Sequence, residues 1–336
     1  MAVPSGEGLE KLEDIIVRAA ESTAAHVRSA KAGIGSVIFG QEHVVERALI
    51  TILSGGHALL VGVPGLAKTK LVETMGIVLG LDARRIQFTP DLMPSDILGT
   101  EVLEESPGGK RSFRFIAGPV FAQLLMADEI NRASPRTQSA LLQAMQEQHV
   151  TVAGLRHDLP KPFHVLATQN PLEQGGTYPL PEAQLDRFLM QIDVDYPDRE
   201  AERRILFETT GAEEVRPKAA MTAEDLIAAQ RLVRRLPVGE SVVEAILALV
   251  RSARPGPEGG DAAKSIAWGP GPRASQALML AVRARALLEG RFAPSVDDVL
   301  DLATPVLKHR MALTFAARAD GETIEAVISR VKTRIG

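Results

Sequence analysis

The sequence contains no cysteine, which excludes disulfides and thiolate metal sites. Its seven histidines never fall at H-x-x-x-H or H-E-x-x-H spacing, so no zinc site is legible. Aromatics make up only 4% of residues and are not interleaved with basic ones, while the net charge is -4 at a pI of about 6.0. That balance does not suit a protein whose main work is gripping nucleic acid. No apolar run approaches the ~20 residues of a membrane span. The first residues, "MAVPSGEGLEKLEDIIVRAAES", lack the basic start and apolar run of a signal peptide. Together these absences set the expectation of a soluble, cytoplasmic protein.

What is present has ordinary globular proportions: 336 residues, 45% hydrophobic and 24% charged, with room for two or three domains. Leu9, Leu12, Ile16, Ala19 and Ala20 recur at helical spacing and predict an amphipathic helix over 8–31. Val44, Val45, Ala48, Leu49 and Leu53 predict a second helix, stopped at Gly55-Gly56. Then short apolar runs take over: "HALLVG" (57–62), "RIQFT" (85–89), "QLLMAD" (123–128), "FHVLATQ" (163–169) and "FLMQIDV" (188–194). Helical patterns separate most of them, notably the one opened by Ser134 as cap and Pro135 in the first turn. Strand and helix in alternation predict an α/β fold, a parallel sheet sandwiched by helices. Beyond Tyr196 the strand signals stop. Thr222/Asp225 and Ser295/Asp298 stand at capping-box spacing before helical stripes, and Pro305 is placed to kink the later one. Residues 1–196 are therefore expected to form the α/β core, and 197–336 a smaller helical domain.

"GVPGLAKTK" (62–70) lies between a strand signal and a helix signal. It follows the phosphate-loop pattern G-x-x-x-x-G-K-[ST] except that Ala67 stands before the lysine. In that context Gly62, Val63, Pro64, Gly65, Leu66, Ala67, Lys68, Thr69 and Lys70 form a candidate phosphate cradle of backbone amides. Lys68 would reach the β- and γ-phosphates and Thr69 would bind Mg²⁺. Ala67 is expected at the helix start with right-handed dihedrals, its methyl being the smallest departure from glycine.

Downstream, "LLMADE" ends a hydrophobic strand in two acids. Asp128 would hold Mg²⁺, and Glu129 would orient the attacking water, because parallel strands present ligand sites at their C-terminal ends. Asn170, in "LATQNP", is placed to bond the γ-phosphate or the water, or else belongs to an Asn-Pro turn. Arg187, in "LPEAQLDRF", is expected on the far side of the domain from its own loop by strand order, reaching a neighbour's nucleotide. An internal ion pair with Asp186 or another acid is the alternative. Arg273, in "GPRAS", opens a helix whose dipole disfavours a cation, a sign of an anion nearby or simply an exposed arginine.

These elements, in this order, resemble the AAA+ ATPases, and among them the MoxR family. The resemblance rests on "GVPGLAKT", "ADEINRASPRTQSALLQAMQE", "LATQNPLEQGGTYPLPEAQLDRF" and "GPRAS", and covers roughly residues 10–335. It implies an AAA+ P-loop domain with a five-stranded parallel sheet and an all-α C-terminal lid. It further implies ATP and Mg²⁺ as cofactors, Asn170 as first sensor, Arg187 as arginine finger and Arg273 as second sensor, in cis or in trans. "VIFGQ", with Phe39 and Gly40, is similar to the segment that packs on adenine. Two insertions, at about 96–120 and 147–159, are expected as hairpins that face a pore or client, or as ordinary surface hairpins. The first interrupts a helix, turns at Pro107-Gly108-Gly109 and is locally basic through Lys110, Arg111 and Arg114.

The function implied is Mg²⁺-dependent ATP hydrolysis by a homo-oligomeric, hexameric ring that remodels or activates a client, partnered by a von Willebrand factor A domain protein. The competing readings are a metal-chelatase motor subunit, a nucleic-acid motor and a nucleotide switch without turnover. The acidic charge counts against the nucleic-acid motor, and Glu129 counts against the switch.

Overall fold

A computed structural model of the protein describes residues 6–105, 111–172, 175–211 and 216–335, with backbone only at 6–17 and 19. The side chains of Leu9, Leu12, Ile16 and Ala19, the turn at Pro107-Gly108-Gly109, and Lys110 lie outside the described residues.

The chain opens with α1 (Gly6–Gly35) and α2 (Glu42–Leu53). In α1 the residues Ala20, Ala24, Val27, Ala30 and Ile34 are buried at three- and four-residue spacing, one apolar stripe. In α2 burial extends almost all round, because the helix lies between the sheet and the later helices. β1 (Ala58–Val61) leads through the glycine loop to α3 (Lys68–Val78), then β2 (Ala83–Gln87) and the short α4 (Pro94–Leu98). β2 begins and ends two residues before the apolar run 85–89 that announced it. β3 (Gly99–Glu105) and β4 (Arg111–Ala117) form the first hairpin, followed by β5 (Leu124–Asp128) and α5 (Pro135–Glu147). β6 (His149–Val152) and β7 (Leu155–Asp158) form the second hairpin, before β8 (His164–Gln169), α6 (Glu182–Leu185) and β9 (Met190–Asp193). The first hairpin does not interrupt a helix. It leaves directly from α4, and no helix resumes before β5.

The five long-range strands pair in the order β2-β5-β8-β1-β9, all parallel. Side chains alternate across it. Leu59, Leu125, Ala127, Val165 and Ala167 face α5 and the hairpins in one core. Leu60, Leu124, Met126, Leu166, Met190 and Ile192 face α1, α2 and α3 in the other.

The second half comprises α7 (Arg199–Thr210), α8 (Ala223–Val233), α9 (Glu240–Ser252), α10 (Gly260–Ala263), α11 (Pro272–Leu288), α12 (Val296–Leu307), α13 (Phe315–Ala319) and α14 (Ile324–Lys332). Ser134 caps α5, and Thr222/Asp225 and Ser295/Asp298 close capping boxes on α8 and α12. α12 continues past Pro305 to Leu307 and tightens into the 3-10 turn Lys308–Arg310. A strand signal that the sequence reading placed nowhere beyond Tyr196 exists there as a ribbon of β10 (Ile266–Trp268) and β11 (Ala312–Leu313). The helices α8, α9, α11 and α12 share one continuous core with α1 and α2, so the lid rests on the back of the sheet. Gln230 on α8 pins this junction by donating to Ile52 O (2.8 Å) and to His164 Nε2 (3.0 Å).

Candidate nucleotide site

The loop 62–67 sits at the C-terminal end of β1, between the tips of β8 and β9. Gly62 donates to Gln169 O (3.2 Å), and a Cβ at Gly62 would lie 2.4 Å from Val194 O, so the backbones pass too closely for a side chain. Gly65 has φ +86, where a non-glycine residue is strained. Among the described residues the amides of Gly65, Ala67, Lys68 and Thr69 have no backbone acceptor, an array suited to phosphate oxygens.

Ala67 departs from its expected conformation. Its φ is 57° and its ψ 18°, left-handed rather than right-handed. The loop must turn its amides inward before the helix begins, and the residue before the lysine makes that turn. A left-handed alanine costs about 1–2 kcal/mol against the helical region.

Lys68 donates to Gly62 O (2.5 Å) and Val63 O (3.2 Å), spanning the loop from which it emerges. Burial lowers its pKa, and the charges of Asp128 and Glu129 oppose that shift. The Thr69 hydroxyl makes no hydrogen bond to a described residue. With the Asp128 carboxylate it offers hard oxygen donors of the kind Mg²⁺ takes.

Asp128 and Glu129 close β5. Thr168 on β8 donates to Asp128 Oδ1 (2.5 Å) and accepts from Glu129 N (2.9 Å). That second bond holds Glu129 in a left-handed turn, φ 56° and ψ 50°. Arg85 on β2 pairs with Asp128 Oδ2 (2.6 Å). Gln87 and Arg132 donate to Glu129 Oε2 (2.7 and 2.9 Å). Asn170 is buried just past β8, and its Oδ1 accepts from Leu172 N (3.1 Å). The turn alternative for Asn170 is thus real, and it leaves the amide nitrogen for a ligand.

A cavity of about 860 Å³ adjoins the loop. Residues 36–39 and Gln41 line one wall, Pro64 to Ala67 the floor, and Tyr196 with Ile205, Leu206 and Thr209 the other wall. Its size and apolar lining suit an adenosine. Phe39 lines it, with the Arg204 guanidinium 4.3 Å over its ring. Gly40, at φ +68, packs where a Cβ would meet Ala201 Cβ at 2.4 Å. The wall facing the loop is α7, not the lid helix that bears Arg273.

Arg187 and Arg273 lie elsewhere together. Both line a cavity of about 300 Å³ with Gly55, Gly56, His57, Gln146, Asp186, Arg234 and Arg310. Four arginines there face one carboxylate. The reason expected for the remoteness of Arg187 needs correction: β9 is the immediate neighbour of β1, so strand order does not separate them. Strand polarity does. Arg187 precedes β9 and shares its cavity with residues preceding β1, whereas the loop follows β1, roughly 15 Å away at ~3.3 Å per residue. The alternative pairing of Arg187 with Asp186 does not occur. Asp186 pairs with Arg310 (2.7 Å) and Arg273 (3.5 Å), and the Arg187 side chain has no polar partner among the described residues. The anion beside the α11 N-terminus is therefore Asp186.

In the first hairpin Arg111 pairs with Glu105 (3.1 Å) and Arg114 with Glu104 (2.8 Å), which cancels its local basic charge. The second turns at Ala153 (φ 49°) and Gly154 (φ 84°). Phe115 stacks on His157 at 3.9 Å, joining the two hairpins.

Sequence reasoning missed Thr168, Arg85, Gln87, Arg132 and Arg310. Thr168 had a signal, standing two residues before Asn170 at the end of the same strand. Arg85 and Gln87 become visible only once β2 is known to flank β5.

Comparison with known proteins identifies the family of the chain. A family model described as "ATPase family associated with various cellular activities (AAA)" matches residues 57–190, and one described as "AAA lid domain" matches 260–331. The chain is 42% identical over 333 residues to Chaperone MoxR1 of Mycobacterium tuberculosis, covering 98% of this chain and 87% of that protein. It is 33% identical over 309 residues to Protein MoxR of Paracoccus denitrificans, covering 86% and 89%. A solved crystal structure from Cytophaga hutchinsonii, 35% identical, superposes with a TM-score of 0.88 over 98% of this chain and 99% of that one.

Proposed function

This chain belongs to the MoxR family of AAA+ ATPases, and we propose that it hydrolyses ATP with Mg²⁺ at sites completed by the next subunit of a hexameric ring. One observation carries the reading: the phosphate loop and the acids stand at one end of the sheet, while Arg187 and Arg273 converge at the other, beyond reach of that loop.

The loop amides and Lys68 bind the phosphates. Thr69 and Asp128 would hold Mg²⁺, which when bound neutralises phosphate charge. Glu129 orients water toward the γ-phosphate, steadied by the bond from Thr168 to its amide. Asn170 reports the γ-phosphate. Arg187, and in our reading Arg273 beside it, act in trans on charge developing in the transition state. Residues 1–196 serve as the nucleotide core and 197–336 as the lid, in a cytoplasmic motor. The output is chaperone-like remodelling or activation of a client, with a von Willebrand factor A domain protein as partner and the hairpins as the contacting surface.

The test is steady-state ATPase rate against protein concentration, for the wild type, Arg187→Ala, Glu129→Gln and their equimolar mixture. Each variant alone loses roughly 10³-fold or more in kcat. Specific activity that rises with concentration, and a mixture that regains activity, support the shared site. A flat concentration dependence with a dead mixture refutes it.

A further inference from the structure

Of the four arginines in the cavity that holds Arg187 and Arg273, one is of a different kind. Arg310 is only 2% exposed and belongs to the 3-10 turn that follows α12, in the lid. All five of its N–H groups are used. Nε donates to Asp186 Oδ1 (2.7 Å). One terminal nitrogen donates to Leu189 O (3.1 Å) and Val306 O (2.5 Å), the other to Asp186 O (3.3 Å) and Phe188 O (2.6 Å). Three of these acceptors are backbone carbonyls on either side of Arg187. His309 adds a bond from Nε2 to Phe188 O (3.1 Å).

A buried cation surrounded by other cations is an expensive way to join two domains. Burial lowers the Arg310 pKa, Arg273 lowers it further, and only Asp186 opposes them. An apolar residue would fill the space at less cost. What a planar five-donor fork supplies, and an apolar residue does not, is a fixed position for several carbonyls at once. The carbonyls it fixes are those that flank Arg187, and the carboxylate it fixes is the one that holds Arg273.

We propose that Arg310 is a positioning residue for ATP hydrolysis in the adjacent subunit: it sets the backbone that carries Arg187 and, through Asp186, orients Arg273. The lid thereby acts on the neighbour's nucleotide without touching it. This inference rests on the shared-site reading above.

The test uses the full chain with Arg310→Lys, which keeps the charge and loses the fork. Asp186→Asn is the milder companion, since it leaves an acceptor for Arg310 Nε. Three quantities are read: affinity for a fluorescent ATP analogue, kcat with KM, and ATPase of equimolar mixtures with Glu129→Gln. The expected Arg310→Lys pattern is unchanged analogue affinity, KM within about twofold, and kcat reduced roughly 10- to 100-fold. Activity returns in the mixture, because Glu129→Gln subunits supply correctly held arginines to the intact acids of the variant. Asp186→Asn follows the same pattern more weakly, and it decides the matter if Arg310→Lys does not fold. Unchanged kcat in the folded variants overturns the proposal. So does a loss of analogue affinity with no recovery in the mixture, which marks a structural staple only. A parallel Arg187→Ala mixture separates the two levels. If it stays dead, the shared site is refuted and the positioning role falls with it. If it recovers while Arg310→Lys is fully active alone, only the positioning role is refuted.

Discussion

Arg85 closes a 2.6 Å ion pair on Asp128, the carboxylate proposed above as a ligand to Mg²⁺. Thr168 holds the other oxygen of the same group, so on the proposed reading metal loading competes with a protein cation. Arg85 is half-exposed, which limits the strength of the pair to about 1 kcal/mol or less. Arg85→Ala is expected to lower the Mg²⁺ concentration for half-maximal ATPase by roughly two- to fivefold. A Mg²⁺ titration of the variant checks this, and an unchanged or raised midpoint contradicts it.

Ala67 carries the strain of a left-handed alanine in the loop. Ala67→Gly removes that strain and is expected to raise stability by up to about 1 kcal/mol while nucleotide still binds. Ala67→Val adds a branched side chain at positive φ and is expected to abolish binding. Thermal melts with and without ATP distinguish the three chains.

Thr168 serves both acids through one hydroxyl. Thr168→Val keeps the shape of the side chain and leaves the Glu129 amide unpaired inside the site. The expected cost is about 1–3 kcal/mol of stability, together with a fall in kcat larger than any change in nucleotide affinity. Denaturant unfolding and steady-state kinetics measure the two effects.

His57 and His164 meet at the N-terminal edge of the sheet, both buried. His57 Nδ1 accepts from Val165 N (2.9 Å), which leaves Nε2–H to donate to Met145 O. His164 Nδ1–H donates to Gly56 O (2.8 Å), and its Nε2 accepts from Gln230. Each ring accepts a bond that a doubly protonated ring cannot, and burial holds the pKa values down at about 3 and about 4. The unfolded chain binds protons at both rings below about 6.5, while the folded chain does not until near 4. Stability therefore rises with pH across that window and is lost on acidification from 6.5 toward 4, by about 1.4 kcal/mol per unit for each ring. Urea midpoints between pH 7.5 and 4.5 report the slope, and His164→Gln should flatten it.

Periodicity made the core strands and helices legible, because buried parallel strands are continuous apolar runs and amphipathic helices repeat. The cradle was legible because its chemistry is local: Gly62 to Thr69 are consecutive, as are Asp128 and Glu129. What sequence spacing could not give is conformation and adjacency. The left-handed turn at Ala67 depends on where the loop aims its amides. The pairing of Gln87 with Glu129 depends on β2 lying beside β5. Arg310 is 124 residues from its partner Asp186, so no local pattern links them. The ribbon β10–β11 escaped because each strand is too short to show an alternation.

The sheet ends in two edges, β2 and β9. β2 presents Arg84 and Arg85, charges that repel an incoming apolar strand. β9 is covered by α12 and clamped at both ends, by Lys308 on Asp193 (2.5 Å) and by Arg310 on Leu189 O. Charge guards the β2 edge and packed helix the β9 edge, two ways of discouraging a foreign strand. A protein crowded against copies of itself in the proposed ring runs a standing risk of joining them through backbone pairing, which would fuse subunits that must move. Guarding the edges in this way favours contact between copies through side chains, where it can be made and released with each nucleotide.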